Sequence, residues 1–131
     1  MKRVLFVCMG NICRSPTAEG VFKHLVAQRG LDGEIASDSA GTHDFHIGAA
    51  PDSRTQAAAA HRGYDLSSLR ARQVVSEDFM RFDYVLAMDE DNLAILQRLC
   101  PDTHRDRVRL FLDFADDLPL RAVPDPYYGG E

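Results

Sequence analysis

Cys8 and Arg14 stand six positions apart in Val7-Cys8-Met9-Gly10-Asn11-Ile12-Cys13-Arg14-Ser15-Pro16, a spacing suited to phosphoryl chemistry. The intervening residues, Met9, Gly10, Asn11, Ile12 and Cys13, can curl into a ring whose N–H groups point inward at an anion. Arg14 would then grip two oxygens of that anion through its planar fork, with the Cys8 sulfur beneath the phosphorus. Gly10 and Asn11 tolerate the left-handed or crowded backbone angles of such a ring. Ser15 followed by Pro16 reads as an N-cap and first helical residue, so a helix N-terminus would add its amides and dipole at the same point. A lone cysteine is more often a small buried hydrophobe; here the strand, loop and cap around Cys8 favour a nucleophile. At the far end of the chain Asp125, in Val123-Pro124-Asp125-Pro126-Tyr127-Tyr128-Gly129-Gly130, is a carboxylic acid able to protonate a leaving oxygen, or simply a turn former between prolines.

The elements that must position these groups follow from the apolar pattern. Lys2 to Val7 reads as a buried parallel strand. From Thr17 to Gln28 the residues Ala18, Val21, Phe22, Leu25 and Val26 share a helical face, and Arg29-Gly30 supplies a stop. A second strand is expected over Glu34 to Ser39, closed by Gly41, and Asp52 or Ser53 should cap a helix running to His61 and ended by Gly63. Asp65 to Val75 is polar and irregular, and Ser76-Glu77-Asp78 looks like the cap of a short helix. Tyr84 to Met88 is a third strand. Asp89-Glu90-Asp91-Asn92 opens a helix with a buried stripe of Leu93, Leu96 and Leu99 before Pro101, and Val108 to Leu112 forms the fourth strand. Alternating strands and helices predict an α/β fold: a doubly wound four-stranded parallel sheet flanked by helices, with the phosphate-binding loop after the first strand.

Composition narrows the classes. A chain of 131 residues fits one domain over 1–131, and 45% apolar residues support a packed core. No apolar run approaches the ~18 residues of a membrane span, and no cleavage-type site follows a long apolar stretch, so neither membrane association nor a signal peptide is expected. The net charge of −5, with thirteen arginines dispersed rather than clustered, argues against nucleic-acid binding. Three cysteines close no disulfide set, which points to a reducing, cytoplasmic home. His43 and His46 lack further ligands at a defined spacing, so no metal and no cofactor are expected.

The run Val7-Cys8-Met9-Gly10-Asn11-Ile12-Cys13-Arg14-Ser15-Pro16-Thr17-Ala18-Glu19 resembles the signature of the low-molecular-weight protein tyrosine phosphatases, and Asp125-Pro126-Tyr127-Tyr128-Gly129 resembles that family's second motif. Asp38-Ser39-Ala40-Gly41-Thr42 and Phe82-Asp83-Tyr84-Val85-Leu86-Ala87-Met88-Asp89 are similar to family segments too, so the resemblance covers essentially the whole chain. Family members continue past this second motif into a final helix, whereas the sequence here stops at Glu131, so that helix is expected to be missing, whether the chain is cut or naturally short.

The resemblance implies hydrolysis of phosphotyrosine through a cysteinyl-phosphate, with Cys8 as nucleophile, Arg14 on the phosphoryl oxygens, Asp125 as general acid and Ser15 as a hydroxyl donor to the sulfur. It implies that Asn11 and Ser39 brace the cradle, that Phe45, Tyr127 and Tyr128 contact the substrate ring, and that a bracing histidine found in some members is replaced here by Leu69. Cys13 could form a protective disulfide with Cys8. The expected partner is a tyrosine-phosphorylated protein or peptide, with a cognate tyrosine kinase as a further candidate, and the expected assembly is a monomer or weak homodimer. Three alternatives stand beside this. An arsenate reductase is disfavoured because only Cys100 follows Cys13, and a phosphoarginine phosphatase is disfavoured by the apolar Ile12. A non-catalytic phosphotyrosine-binding module is disfavoured by the intact Cys8, Arg14 and Asp125.

Overall fold

The computed structural model describes residues 2–10, 14–43 and 47–111. Four strands, β1 (Lys2–Cys8), β2 (Ile35–Gly41), β3 (Tyr84–Ala87) and β4 (Val108–Leu110), form one parallel sheet in the order β2-β1-β3-β4. The chain passes from β1 to β2 on one side and then crosses back to β3 on the other. Its direction of winding therefore reverses between β1 and β3, and the crevice at the carboxyl ends of those strands is where ligands of such sheets bind.

β1 is central because its run of apolar residues can be buried on both faces. Leu5 and Val7 join Phe79, Phe82, Val85, Ala87 and Leu96 in one core, while Val4, Phe6 and Cys8 join Leu86 and Met88 in the other. The second core is covered by Ala18 and Phe22 of helix α1 (Arg14–Gln28) and by Phe111. Phe6 meets the rings of Phe22 and Phe111 edge-on, at centroid separations of 5.5 and 5.6 Å. Alternation along the strand thus turns Cys8 toward the face that α1 covers.

Among the described residues the further helices are α2 (Ser53–His61), α3 (Asp78–Arg81) and α4 (Glu90–Leu99), and a 3-10 turn over Asp102–Arg107 leads into β4. Asp52 caps α2, accepting hydrogen bonds from the amides of Arg54 and Thr55, and Gly63 beyond its end has φ +91, which a Cβ would resist.

Several expectations are corrected. β2 runs on to Gly41 because Gly41 is still paired, with Cys8 in β1 and with Gln73 in an isolated bridge. Leu96 is buried and Leu93 packs against the core as expected, but Leu99 is 51% exposed, and burial runs instead through Asn92 and the C-cap residue Cys100. Steps of four stay close to one face of a helix, whereas Leu93, Leu96 and Leu99 drift backward around it. Leu25 is likewise 42% exposed, and Val26 beside it is buried.

Candidate active site

Cys8 is the last residue of β1 and is buried. Both neighbouring strands hold the backbone here. Met88 N–H donates to Val7 O at 3.0 Å, Thr42 N–H to Cys8 O at 2.9 Å, and His43 N–H to Met9 O at 3.1 Å, so strand-like pairing continues into the loop. The first cradle residues, Met9 and Gly10, are half-buried.

α1 starts at Arg14, one residue before the predicted cap. Ser15 therefore lies inside the first turn rather than at the N-cap, and Pro16 follows it where a missing N–H still does no harm. This shift frees the serine hydroxyl for another role: Ser15 Oγ lies 3.0 Å from Cys8 Sγ, fully buried. Thiol and hydroxyl can each donate, but once the sulfur is ionised only Ser15 can supply the proton of that hydrogen bond.

Arg14 is buried, and its Nη1 donates to Asp89 Oδ2 at 2.8 Å. Asp89 was legible only as an acidic helix opener. The structure gives it two tasks, because its Oδ1 also accepts the Asn92 N–H at 2.8 Å as the cap of α4. Since β3 leads straight into that cap, the pair spans the crevice between β1 and β3. Beside it opens a hollow of about 520 Å³ lined in part by Met9, Arg14, His43 and Asp89.

Ser39 on β2 is buried and donates from Oγ to Glu19 Oε1 at 2.7 Å; Lys23 Nζ donates to Glu19 Oε2 at 2.5 Å. Ser15, Glu19 and Lys23 recur every four residues along one face of α1. Glu19, buried and ion-paired, is a residue to which sequence reasoning gave no role; its spacing from Ser15 and Lys23 was the available signal. Leu69 is half-buried in the turn begun by Leu66.

The structure thus brings together Cys8, Met9, Gly10, Arg14 and Ser15, with Ser39 behind α1. Asn11, Ile12, Cys13, Phe45, Asp125, Tyr127 and Tyr128 lie outside the described residues. Among the described residues no group of three or more His, Cys, Asp or Glu side chains could hold a metal ion, and no helix is long and apolar enough to cross a membrane.

Residues 3–131 match the family model described as low molecular weight phosphotyrosine protein phosphatase. The low molecular weight protein-tyrosine-phosphatase YfkJ of Bacillus subtilis is 44% identical over 130 residues, covering 99% of this chain and 83% of that protein. Its crystal structure superposes with a TM-score of 0.96, covering 100% of this chain and 82% of that one. A protein tyrosine phosphatase of Entamoeba histolytica, crystallised with Hepes in its active site, gives a TM-score of 0.94 at 44% identity over 99% of this chain and 83% of that one. A drosophila arginine phosphatase gives 0.91 at 34% identity, over 100% and 83%. The chain belongs to the low molecular weight phosphotyrosine protein phosphatase family.

Proposed function

We propose that this protein is a cytoplasmic phosphatase that hydrolyses phosphotyrosine in proteins or peptides through a cysteinyl-phosphate. The observation that carries the reading is the buried Cys8 Sγ, 3.0 Å from Ser15 Oγ at a strand-to-helix turn, with Arg14 next in sequence to Ser15 and anchored by Asp89. In the first step Cys8 Sγ bonds to phosphorus as the bond from phosphorus to the tyrosyl oxygen breaks, and Asp125 gives its proton to that oxygen. In the second, the Asp125 carboxylate takes a proton from water, whose oxygen displaces the sulfur and releases inorganic phosphate. Arg14 and the cradle amides hold the charge on the transferring oxygens throughout. Asn11 and Ser39 brace the cradle, and Phe45, Tyr127 and Tyr128 flank the substrate ring.

Hydrolysis of p-nitrophenyl phosphate and of a phosphotyrosine peptide tests the reading. Wild type should turn over both and prefer phosphotyrosine to phosphoarginine, while a folded Cys8→Ser variant should be inactive on all three. Substantial turnover by that variant rejects the covalent route. Asp125→Asn should slow substrates with poor leaving groups far more than those with good ones, because a stable departing anion needs little protonation. Equal slowing of both rejects Asp125 as the acid. Under mild peroxide, Cys8 and Cys13 should give up two electrons and two protons to form a disulfide, with peroxide reduced to water. Peptide mapping that finds no such bond in reversibly inactivated protein rules that protection out.

A further inference from the structure

The hollow beside Arg14 does not end at the phosphate position. It follows α4 past Asn92 and Ile95 to Arg98, and a second hollow of about 440 Å³ shares Ala94 and Arg98 and continues to Arg105. Arg98 is exposed and, among the described residues, makes no ion pair or hydrogen bond. Arg105 is paired with Asp102 at 2.8 Å, but the Arg105 side chain is about half exposed and that of Asp102 largely so, so water and salt compete readily with that bond. Asp91, by contrast, sets a negative charge on the first turn of α4, nearer the mouth. The channel therefore changes sign along its length, from Asp91 near the reacting centre to Arg98 and Arg105 farther out. Asn92, buried on the same helix turn, has an Oδ1 with no hydrogen-bond partner.

From these placements we infer that the α4 channel binds the chain segment flanking the phosphotyrosine and selects an acidic side chain a few residues away from it. The inference rests on the phosphatase reading above. Asp89 touches Arg14, and Arg98 lies nine residues farther along α4, a rise of ~13 Å at ~1.5 Å per residue. An extended peptide covers that length in about four residues at ~3.3 to 3.6 Å each. The glutamate or aspartate thus belongs about three or four positions from the phosphotyrosine. One immediately beside it meets Asp91 and gains nothing.

The test uses wild-type protein and phosphotyrosine peptides in an alanine background, with a single glutamate moved position by position along each side. One register about three or four residues out should raise kcat/KM about threefold through KM, a gain that fades as salt rises. Each rate is divided by that for p-nitrophenyl phosphate, which leaves the channel empty. Arg98→Gln should abolish the gain in this ratio, Arg98→Lys should keep most of it, and Arg98→Glu should transfer the preference to lysine at the same register. Equal ratios for every peptide, with p-nitrophenyl phosphate turnover intact, overturn the channel and leave the phosphatase reading standing. Absence of p-nitrophenyl phosphate turnover by wild type overturns the phosphatase reading itself. A preference that disappears as the protein self-associates assigns the channel to a second copy and also overturns the inference.

Discussion

A guanidinium can hold two phosphoryl oxygens only if its plane is fixed before the substrate arrives, and the Asp89 carboxylate, 2.8 Å from Nη1, fixes the plane of Arg14. A lysine at this position would offer a rotating point charge with no fork. Arg14→Lys should remain folded and lose at least about a hundredfold in kcat/KM for p-nitrophenyl phosphate, combining a lost bidentate contact with a lost orientation. Asp89→Asn separates the two tasks of that residue, because asparagine is as good a helix cap as aspartate but carries no charge for Arg14. Replacing a charge-assisted hydrogen bond by a neutral one should lower kcat/KM about tenfold while the melting temperature barely moves. Asp89→Ala should lose activity and also about 1 kcal/mol of stability from the vacated cap. Wild-type kinetics in Asp89→Asn would show that the carboxylate serves α4 alone.

The elements were readable where their ends are marked by local chemistry. Asp52 before α2, Gly63 after it and Asp89 before α4 each act within a few residues of themselves, and the structure places each as its residue type implies. Partners distant in sequence were not readable. Arg14 and Asp89 are separated by 75 positions and Glu19 and Ser39 by 20, and a sequence displays such charges without showing which of them the sheet order brings together. The start of α1 was misplaced for a related reason: a serine before a proline is a good local cap, but the buried sulfur of Cys8 offers Ser15 a hydrogen bond that local preference cannot register. The α2 cap gives a measurable case. Burial pushes the Asp52 carboxyl up, but its hydrogen bonds with the Arg54 side chain and the Thr55 and Arg54 amides, together with the Arg54 charge, bring it below its ordinary value. A carboxyl lowered on folding stabilises the fold above the ordinary carboxylate range, at about pH 4, and loses that effect as pH falls toward the folded value. Urea unfolding should show Asp52→Ala weaker than wild type by about 1 kcal/mol at neutral pH, and the gap should close in strong acid. A gap that persists in acid would mean that the cap does not depend on the charge.

At the scale of the whole molecule, the edge strand β2 carries Ser39 and leads into Thr42, so the segment that packs against it must also be held in place. Arg72 does this from the irregular stretch before α3. Its guanidinium donates to Asp78 at 3.0 and 3.1 Å and lies 3.1 Å from Asp38 on β2, while Gly41 N–H donates to Arg72 O at 2.7 Å. The two carboxylates are not equivalent. Asp38 is 46% exposed and half solvated, whereas Asp78 is 1% exposed and also accepts the Val75 N–H at 2.8 Å. Removing the cation leaves Asp78 buried with a single amide donor, a larger cost than loosening an exposed pair. Because Arg72 is itself one-third exposed, water entering its place recovers part of that cost, and Arg72→Met should destabilise the protein by about 2 kcal/mol, a fall in melting temperature of roughly 8 °C for a chain of this size. Asp38→Asn should cost less than about 1 kcal/mol. In Arg72→Met the activity on p-nitrophenyl phosphate well below the melting temperature should stay close to that of wild type, since Cys8, Arg14 and Asp89 are held by β1, α1 and α4 rather than by this cluster. Thermal melts of the two variants, with activity measured alongside, decide the matter: equal destabilisation by Arg72→Met and Asp38→Asn would show that the buried Asp78 draws no more from the cation than the exposed Asp38 does.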